Sequence, residues 1–323
     1  MNKPIAIIAG EPNSISSEII FKTWKIRKKF KHKLLFVIGS INLLNIQKKK
    51  LNYSIKLKEI NDSFNLNDLK GDQLPVYNVN YNQKFPFEKI SSMSNNYIFK
   101  CFDKTLNLIK KRKIIGFINC PVSKEYLFKN KHQGVTEFLA KKSNKNGKEV
   151  MLIYNKKLSV APITTHISLN QVSLKLNNKK IVQKVLAINS FYKNILKKKP
   201  KFAVLGLNPH NFSTSKKSEE NEIIAKSKKN LKKKKINVEG PIPTDSSFMI
   251  DNKSKFDVII GMYHDQVLTP FKALYNYQAI NITLGLPYIR ISPDHGTAQD
   301  IAGYKKANPS SLVESIRFFN NIK

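Results

Sequence analysis

Short apolar runs that alternate with helical stretches constrain the fold of this chain more than any other feature. The strand-like runs are KPIAIIAG at 3–10, KLLFVIGS at 33–40, IIGFINCPV at 114–122, EVMLIY at 149–154, LSVAPITT at 158–165, KFAVLGLN at 201–208, FDVIIGMY at 256–263 and AINITLGL at 279–286. Apolar residues recur at helical spacing between most of these runs, notably over residues 179–196, 218–234 and 310–322. This alternation predicts an α/β architecture.

The first run and the residues after it predict a β–α unit. The strand ends at a glycine, and SSEIIFKTWKIRKKF at 16–30 shows helical apolar spacing with Ser16 or Ser17 as its N-cap. Farther along, NKK at 155–157 is expected to turn an antiparallel hairpin. The polar segment 47–95 is interpreted as loops with minor strands.

The length of the chain, 323 residues, allows a large core in one domain or in two intimate ones, and we predict two. The sequence contains no internal repeat and no flexible linker, so the two domains should share a cleft. No apolar run approaches the roughly 20 residues that span a membrane, and the opening MNKPIAIIAGEP has too short an apolar core for a secretory signal. We therefore expect a soluble protein without a membrane partner.

The net charge of +35 raises the possibility of nucleic-acid binding. Only four of the 57 basic residues are arginines, the residue type that base and phosphate recognition uses most, and the lysines are spread from end to end. The charge therefore indicates solvated surfaces, and a nucleic-acid partner is not expected. Cys101 and Cys120 form no CxxC motif or disulfide framework, which favours buried thiols and a cytoplasmic location.

Three histidines follow strand-like runs and could form a metal site. They are His166 in APITTHISL, His210 in VLGLNPHNF and His264 in GMYHDQVLTPFKAL. Neutral imidazoles are the commonest metal ligands, and three of them leave coordination positions open for a substrate. A lone histidine is more often structural, so the spacing alone supports both interpretations.

The block NITLGLPYIRISPDHGTAQDIAGYKKANPSSL, residues 281–312, has the composition of a ligand-binding loop. Its glycines and the small residues Thr297 and Ala298 permit close approach of the backbone to a ligand, and Asp300 is available to a ribose or an adenine edge. The same composition would suit an ordinary loop before a helix. No GxGxxG follows the first strand, which disfavours an ordinary Rossmann site.

Within this block, HGTAQDIAG followed by ANP resembles the adenine-binding motif of the isocitrate and isopropylmalate dehydrogenase superfamily. Over nearly its whole length the chain resembles the 4-hydroxythreonine-4-phosphate dehydrogenase family. The shared motifs, in the family's order, are AGEP, PVSK at 121–124, TEFLA at 136–140, TTHISL at 164–169, GLNPH at 206–210, GPIPTDSSF at 240–248, MYHDQ at 262–266 and the tail block. Several motifs in one order make the resemblance specific.

The resemblance implies a fold like that of isocitrate and isopropylmalate dehydrogenases, with two α/β domains sharing a central cleft. Residues 1–130 with 270–323 would form the first domain, on the NAD side. Residues 131–269 would form the second, with the dimer interface and the metal ligands. It also implies a homodimer with the active site at the subunit interface, where His166 and His210 come from one subunit and His264 from its mate.

The implied reaction is the NAD-dependent oxidation of 4-phosphooxy-L-threonine to a 3-oxo acid, which loses carbon dioxide to give 3-amino-2-oxopropyl phosphate. One divalent ion per site is implied, and the sequence does not choose among Zn, Mg, Mn and Co. The site residues carried over from the family are the metal ligands His166, His210 and His264; the substrate-binding residues Thr136, Lys272, Asn281 and Arg290; and the cofactor-binding residues His295, Gly296, Thr297, Ala298 and Asp300. The catalytic candidates are Lys272 and, from their chemistry, Asp245 and Asp265. For the two aspartates, proton handling and the orientation of a histidine ligand both stay open.

The chain departs from the family pattern at a few positions. Val135 replaces a substrate-contacting histidine in the motif Gly-His-Thr-Glu, and valine neither donates a hydrogen bond nor carries charge. Glycines of the family are also absent after AGEP, after His210 and at Val267, which is harmless only where the backbone does not need a positive φ. The alternatives are therefore a paralogue that oxidises threonate or erythronate phosphate, and a basic nucleic-acid-binding protein without catalysis.

Overall fold

The computed structural model describes residues 3–29, 33–129, 134–212, 217–249 and 255–322. The chain divides into two compact units, of which the first comprises Met1–Leu139 and Leu286–Lys323 and the second comprises Ala140–Gly285. Each unit has its own strands and helices, which confirms the α/β prediction. The domain bounds predicted from the sequence stay a prediction.

The described residues of the first unit form six parallel strands: β1 Ile5–Ile8, β2 Leu35–Gly39, β3 Leu57–Ile60, β4 Leu74–Asn78, β5 Gly116–Asn119 and β12 Ile289–Pro293. Their order across the sheet is β3-β4-β2-β1-β5-β12. Of the four inner strands, β1, β2 and β5 are buried at every residue and β4 is buried at all but its last. Strands covered on both faces require such continuous apolar runs. The helices begin and end at α1 Ser16–Ile26, α2 Ile41–Lys50, α3 Asn95–Lys110, α4 Lys124–Phe128, α5 Val135–Lys142, whose last three residues lie in the second unit, and α11 Ser310–Asn321.

The second unit contains β6 Val150–Tyr154, β7 Ser159–Pro162, β8 Phe202–Leu205, β9 Val238–Ile242, β10 Val258–Gly261 and β11 Ile280–Leu284. The order is β11-β6-β7-β10-β8-β9, and β6 pairs antiparallel with both of its neighbours. The predicted hairpin at 155–157 is thereby confirmed. The helices are α6 Val172–Lys175, α7 Asn178–Asn194, α8 Ala225–Lys233, α9 Thr244–Ser247 and α10 His264–Tyr275.

The order of strands in the second unit brings the ends of β7, β10 and β8 side by side. These three strands are neighbours and run parallel, so their carboxyl ends meet at one edge of the sheet. His166, His264 and His210 follow these three strands in the chain. The carboxyl edge of parallel strands is the usual place for ligands in open α/β sheets.

The segment 47–95 was predicted to hold loops with minor strands, and its short strands β3 and β4 extend the parallel sheet beside β2. In the edge strand β3, the half-buried Lys58 and the exposed Glu59 interrupt the apolar pattern, and Asn78 ends β4.

One sequence prediction in the first unit, the cap of α1, needs correction. Ile15 is the N-cap of α1, and neither Ser16 nor Ser17 caps it. Instead, the Ser14 hydroxyl accepts a hydrogen bond from the Ser16 N–H at 3.1 Å.

Two further observations bear on sequence predictions. Cys101 and Cys120 are free and buried, as predicted, and burial raises the pKa of the Cys101 thiol to about 12. Among the helices of the described ranges, none combines the length and the apolar character that crossing a membrane requires.

Candidate active site

His166 and His264 lie close together in the second unit. Each follows one of the paired parallel strands β7 and β10, and the centroids of the two rings are 5.9 Å apart. Two imidazoles that bind one ion through nitrogens about 2.1 Å away would place their centroids roughly 5–6 Å apart. The observed separation therefore suits a pair of ligands to one divalent cation, with both ligands contributed by one chain.

Asp265 holds the ring of His264. The Nδ1 atom of His264 lies 2.9 Å from Asp265 Oδ1, and the histidine side chain is 33 % exposed. A histidine that binds a metal through one ring nitrogen commonly donates its other N–H to a carboxylate, which sets the tautomer and the ring orientation. This contact fits the orienting role for Asp265 better than a role in proton transfer.

His166 and His210 share an unusual backbone conformation. Their φ angles are +53° and +50°, in the left-handed region, and both side chains are exposed. Non-glycine residues enter this region rarely, and strained backbone of this kind costs on the order of 1–3 kcal/mol. Such strain clusters at functional sites, so an independent observation marks two of the three histidines selected from sequence.

The three histidines do not form a complete ligand set within the ranges that the structure describes. No group of three His, Cys, Asp or Glu side chains in those ranges is arranged to hold a metal ion. The donor chemistry of His166 and His264 nevertheless fits a divalent cation with neutral ligands, leaving positions for a third ligand and a substrate.

The loop that carries His210 is held by buried Glu220. The Glu220 carboxylate accepts hydrogen bonds from Leu207 N at 2.8 Å and from Asn208 N at 2.9 Å. Asn211, with a φ of +61°, donates from its side-chain amide to Pro241 O at 3.1 Å. The lost glycines of this loop are thus partly compensated by asparagine, which tolerates a positive φ. Residues 213–216 of the same loop lie outside the described residues.

Helix α10 carries three further residues of interest. Val267 is fully buried within it and has no positive φ, so the loss of a glycine there is harmless. Lys272 is exposed and lies eight residues, or about two helical turns, after His264. Gln266 is only 5 % exposed, and its amide bonds to three separate segments.

Asp245 and Asn281 occupy different environments in the second unit. Asp245 is exposed in the first turn of α9, where its carboxylate accepts a hydrogen bond from Ser246 N at 2.8 Å. Asn281 lies on β11, and its side-chain oxygen is buried without a hydrogen-bond partner among the described residues. A buried amide oxygen without a partner is available to a ligand donor.

In the first unit, Arg290 and Thr136 are brought together. Arg290 is 3 % exposed on β12, its Nε donates to Asn119 Oδ1 at 2.6 Å, and its Nη1 lies 3.4 Å from Thr136 Oγ1. Burial lowers the pKa of the guanidinium to about 10, and the nearby Glu137 carboxylate opposes this change. Because that pKa is well above 7, the guanidinium remains a buried cation at neutral pH.

The ends of β1 and β5 and the loop after β12 also meet in the first unit. Glu11 N donates to Pro121 O at 2.9 Å, which joins the AGEP and PVSK motifs. Gly10 has a φ of +76°, and a Cβ there would lie 2.5 Å from Pro121 O, so this approach requires glycine. Ile15 N donates to Thr297 O at 3.1 Å, which attaches the loop of the tail block to the start of α1.

The loop at 295–303, called the tail loop below, has local features of a ligand site. Ala298 has a φ of +43°, His295 Nδ1 lies 3.1 Å from Gly296 O, and Asp300 is exposed. The buried Glu18 carboxylate accepts Ala307 N at 2.8 Å and anchors the ANP segment. The loop is therefore fixed on both sides while its central residues stay accessible.

Sequence reasoning missed Asn119 and Glu220, and it named Gln266 without a role. Asn119 could have been found from its place at the end of a buried strand, in the run FINCPV. No local signal marks Glu220, because its partners are 12 and 13 residues away in a loop.

Comparison with known proteins shows the family of this chain. Residues 31–319 match the family model described as "Pyridoxal phosphate biosynthetic protein PdxA". The 4-hydroxythreonine-4-phosphate dehydrogenase of Sulfurihydrogenibium sp. is 37% identical over 97% of this chain and 96% of its own length.

Solved structures show the same relationship. The crystal structure of 4-hydroxythreonine-4-phosphate dehydrogenase from Klebsiella pneumoniae has a TM-score of 0.84 at 29% identity and covers 99% of each chain. Isocitrate dehydrogenase from Methylococcus capsulatus, at 10% identity and a TM-score of 0.50, covers 98% of this chain and 85% of its own and shows the fold alone. The predicted fold class is thereby confirmed, and the chain belongs to the family of pyridoxal phosphate biosynthetic protein PdxA, the 4-hydroxythreonine-4-phosphate dehydrogenases.

Proposed function

We propose that this protein oxidises 4-phosphooxy-L-threonine with NAD, in pyridoxine 5′-phosphate biosynthesis. The product would be a 3-oxo acid that loses carbon dioxide to give 3-amino-2-oxopropyl phosphate. The observation that carries the proposal is the sequence similarity to 4-hydroxythreonine-4-phosphate dehydrogenases over nearly the full length of the chain. We further propose a cytoplasmic homodimer that uses one divalent cation per site.

His166 and His264 would hold the cation, and His210 would complete the ligand set. A bound divalent cation supplies Lewis-acid polarisation of a substrate oxygen. Asp265 keeps the His264 ring in one orientation through its 2.9 Å contact. Asp245 and Lys272 stay the candidates for moving the proton of the substrate hydroxyl, and both are solvent-exposed.

Positive charge and hydrogen-bond donors would hold the phosphorylated substrate. Arg290 offers a buried guanidinium, and its forked geometry suits phosphate or carboxylate oxygens. Thr136 lies beside it, while Lys272 would add a cation and Asn281 a buried amide oxygen that can accept a hydrogen bond. A hydride acceptor would lie against the loop 295–300, in which Ala298 has a left-handed backbone conformation.

A substrate panel tests the proposed function directly. We expect NADH absorbance to rise fastest with 4-phosphooxy-L-threonine and at least about tenfold more slowly with threonate or erythronate phosphate at equal concentration. Faster turnover of either sugar-acid phosphate would reject the proposed substrate and favour the paralogue.

The same panel applies to Val135→His. Val135 is 6 % exposed at the start of α5, next to Thr136, so a larger ring should lower Tm through crowding. We expect kcat/KM on 4-phosphooxy-L-threonine nevertheless to rise about tenfold, or ~1.4 kcal/mol, because one polar substrate contact is restored. Val135→Phe is the control, with a ring but no hydrogen bond. If the histidine variant performs no better than the phenylalanine variant, the pocket does not use position 135 for binding.

Cofactor choice follows from the charge of the tail loop. Residues 295–303 contain no arginine for a 2′-phosphate, and Asp300 would repel one. We expect kcat/KM for NAD to exceed that for NADP by at least about tenfold. We expect Asp300→Asn to lower this ratio of the two kcat/KM values. Asp72→Asn, which changes an exposed carboxylate paired with Arg27, should leave the ratio unchanged. Equal efficiency of the wild type with both cofactors would refute this assignment.

A further inference from the structure

The side-chain amide of Gln266 connects three segments of the second unit. Its Oε1 accepts Met262 N at 2.6 Å, and its Nε2 donates to Gly206 O at 2.7 Å and to Thr244 Oγ1 at 2.8 Å. With one acceptor and two donors engaged, the amide is matched to its surroundings in a position that is 5 % exposed.

Each partner of Gln266 lies just before or beside a candidate site residue. Gly206 follows β8 and precedes His210 by four residues, while Met262 follows β10 and precedes His264 by two. The Gln266 side chain therefore links the backbone before His210 to the backbone before His264. It also bonds Thr244, the neighbour of Asp245.

The space around the Gln266 amide also restricts which side chains can replace it. A Cβ on Gly261 would lie 2.5 Å from Val267 Cγ1 and 2.8 Å from Gln266 Oε1, so these two side chains together fill the place that a side chain at the end of β10 would take. Glutamate in this position would keep the acceptor but lose both donors, and methionine would lose all three hydrogen bonds. Each buried partner would then be left without a hydrogen bond, which destabilises the arrangement.

We propose that Gln266 is a positioning residue for the cation site, because it fixes the loops of His210 and His264 relative to each other. This inference rests on the proposed function, in which these histidines bind the cation. It goes further because Gln266, which would touch neither the ion nor the substrate, determines how accurately the histidine ligands are placed. Residues that orient metal ligands typically contribute 10–100-fold to metal affinity.

The test measures the Co²⁺ affinity and the thermal stability of each variant. Co²⁺ is titrated into the purified full-length protein, binding is followed by its visible absorption bands, and Tm is measured without Co²⁺. Gln266→Met should weaken Co²⁺ binding at least about tenfold. Thr244→Val removes a single partner of the amide and should weaken it less.

The chain offers a matched control in Gln47. This residue is 1 % exposed in α2, and its Nε2 donates to Pro12 O at 2.8 Å and Pro86 O at 2.9 Å, in the first unit. Gln47→Met should lower Tm to a similar extent and leave Co²⁺ affinity within about threefold of the wild type. Gln266→Glu, which keeps the shape and one hydrogen bond, replaces the methionine variant if that variant does not fold.

The outcomes separate this inference from the proposed function. If wild-type protein binds Co²⁺ no better than His166→Ala, the proposed cation site itself is wrong. If binding depends on His166 but Gln266→Met and Gln266→Glu retain wild-type affinity, the positioning role is overturned while the site stands. Equal weakening in the Gln47 and Gln266 variants would also overturn it, because general destabilisation would then explain the loss.

Discussion

Replacing either His166 or His264 with alanine is expected to lower kcat/KM for NADH formation at least about a thousandfold. Polarisation of a substrate oxygen by a metal ion contributes several kcal/mol, and ~4 kcal/mol corresponds to three orders of magnitude. Leu274→Ala, at an exposed position of the same helix as His264, is the control and should stay near wild-type activity. Activity within tenfold of wild type in either histidine variant would exclude that residue as a ligand.

Mixing the two inactive variants then tells whether the ligands come from one chain. Since His166 and His264 lie 5.9 Å apart within one chain, we expect no recovery after the subunits of the two variants have exchanged. The arrangement implied by resemblance, with His264 supplied by the partner, predicts otherwise. Heterodimers would then form about half the population, and roughly a quarter of all sites would be intact. Recovery near that level, with exchange confirmed by native mass spectrometry, would contradict the single-chain pair.

Arg290→Gln is expected to lower kcat/KM by at least about a hundredfold, mainly through KM. A charge-assisted bond to a buried guanidinium contributes roughly 1.5–3 kcal/mol, and two parallel bonds can form with phosphate. Arg290→Lys should recover little, because an ammonium cannot reproduce the fork that also bonds Asn119. Substrate affinity should persist from pH 7 to 9, because the guanidinium keeps its proton throughout that range.

The control for charge alone is Arg317→Gln. Arg317 is an exposed residue that pairs with Glu314 at 2.6 Å, and its loss should leave KM unchanged. An unchanged KM in Arg290→Gln as well would show that the buried cation does not contact the substrate. In that case the 2.6 Å bond to Asn119 would serve only to hold β12 against β5.

The sequence allowed most of the fold to be predicted, because the central strands are buried on both faces and read as unbroken apolar runs. It indicated minor strands within 47–95 without placing β3 and β4 in the main sheet, and it assigned the residues of β12 to a ligand loop. The three histidines could be selected because each follows such a run.

Contacts between distant residues were beyond sequence reasoning. Arg290 and Asn119 are 171 residues apart, and no periodicity relates them. The same holds for Gln266 and Gly206, which are separated by 60 residues. Such pairs depend on strand order, and strand order is a property of the whole chain rather than of any local segment.

The discontinuous first unit has a consequence for how the protein is made. Residues of the second unit leave the ribosome as one uninterrupted segment and can finish folding before synthesis ends. The first unit cannot finish folding that early, because β12 pairs with β5 only after some 170 further residues have been added. The hydrogen bond from the Ala307 amide to Glu18 forms later still. Until β12 pairs with it, β5, which is buried at every residue in the folded protein, presents an open edge. The nascent chain is thus most exposed to aggregation during the interval between its fifth strand and its last.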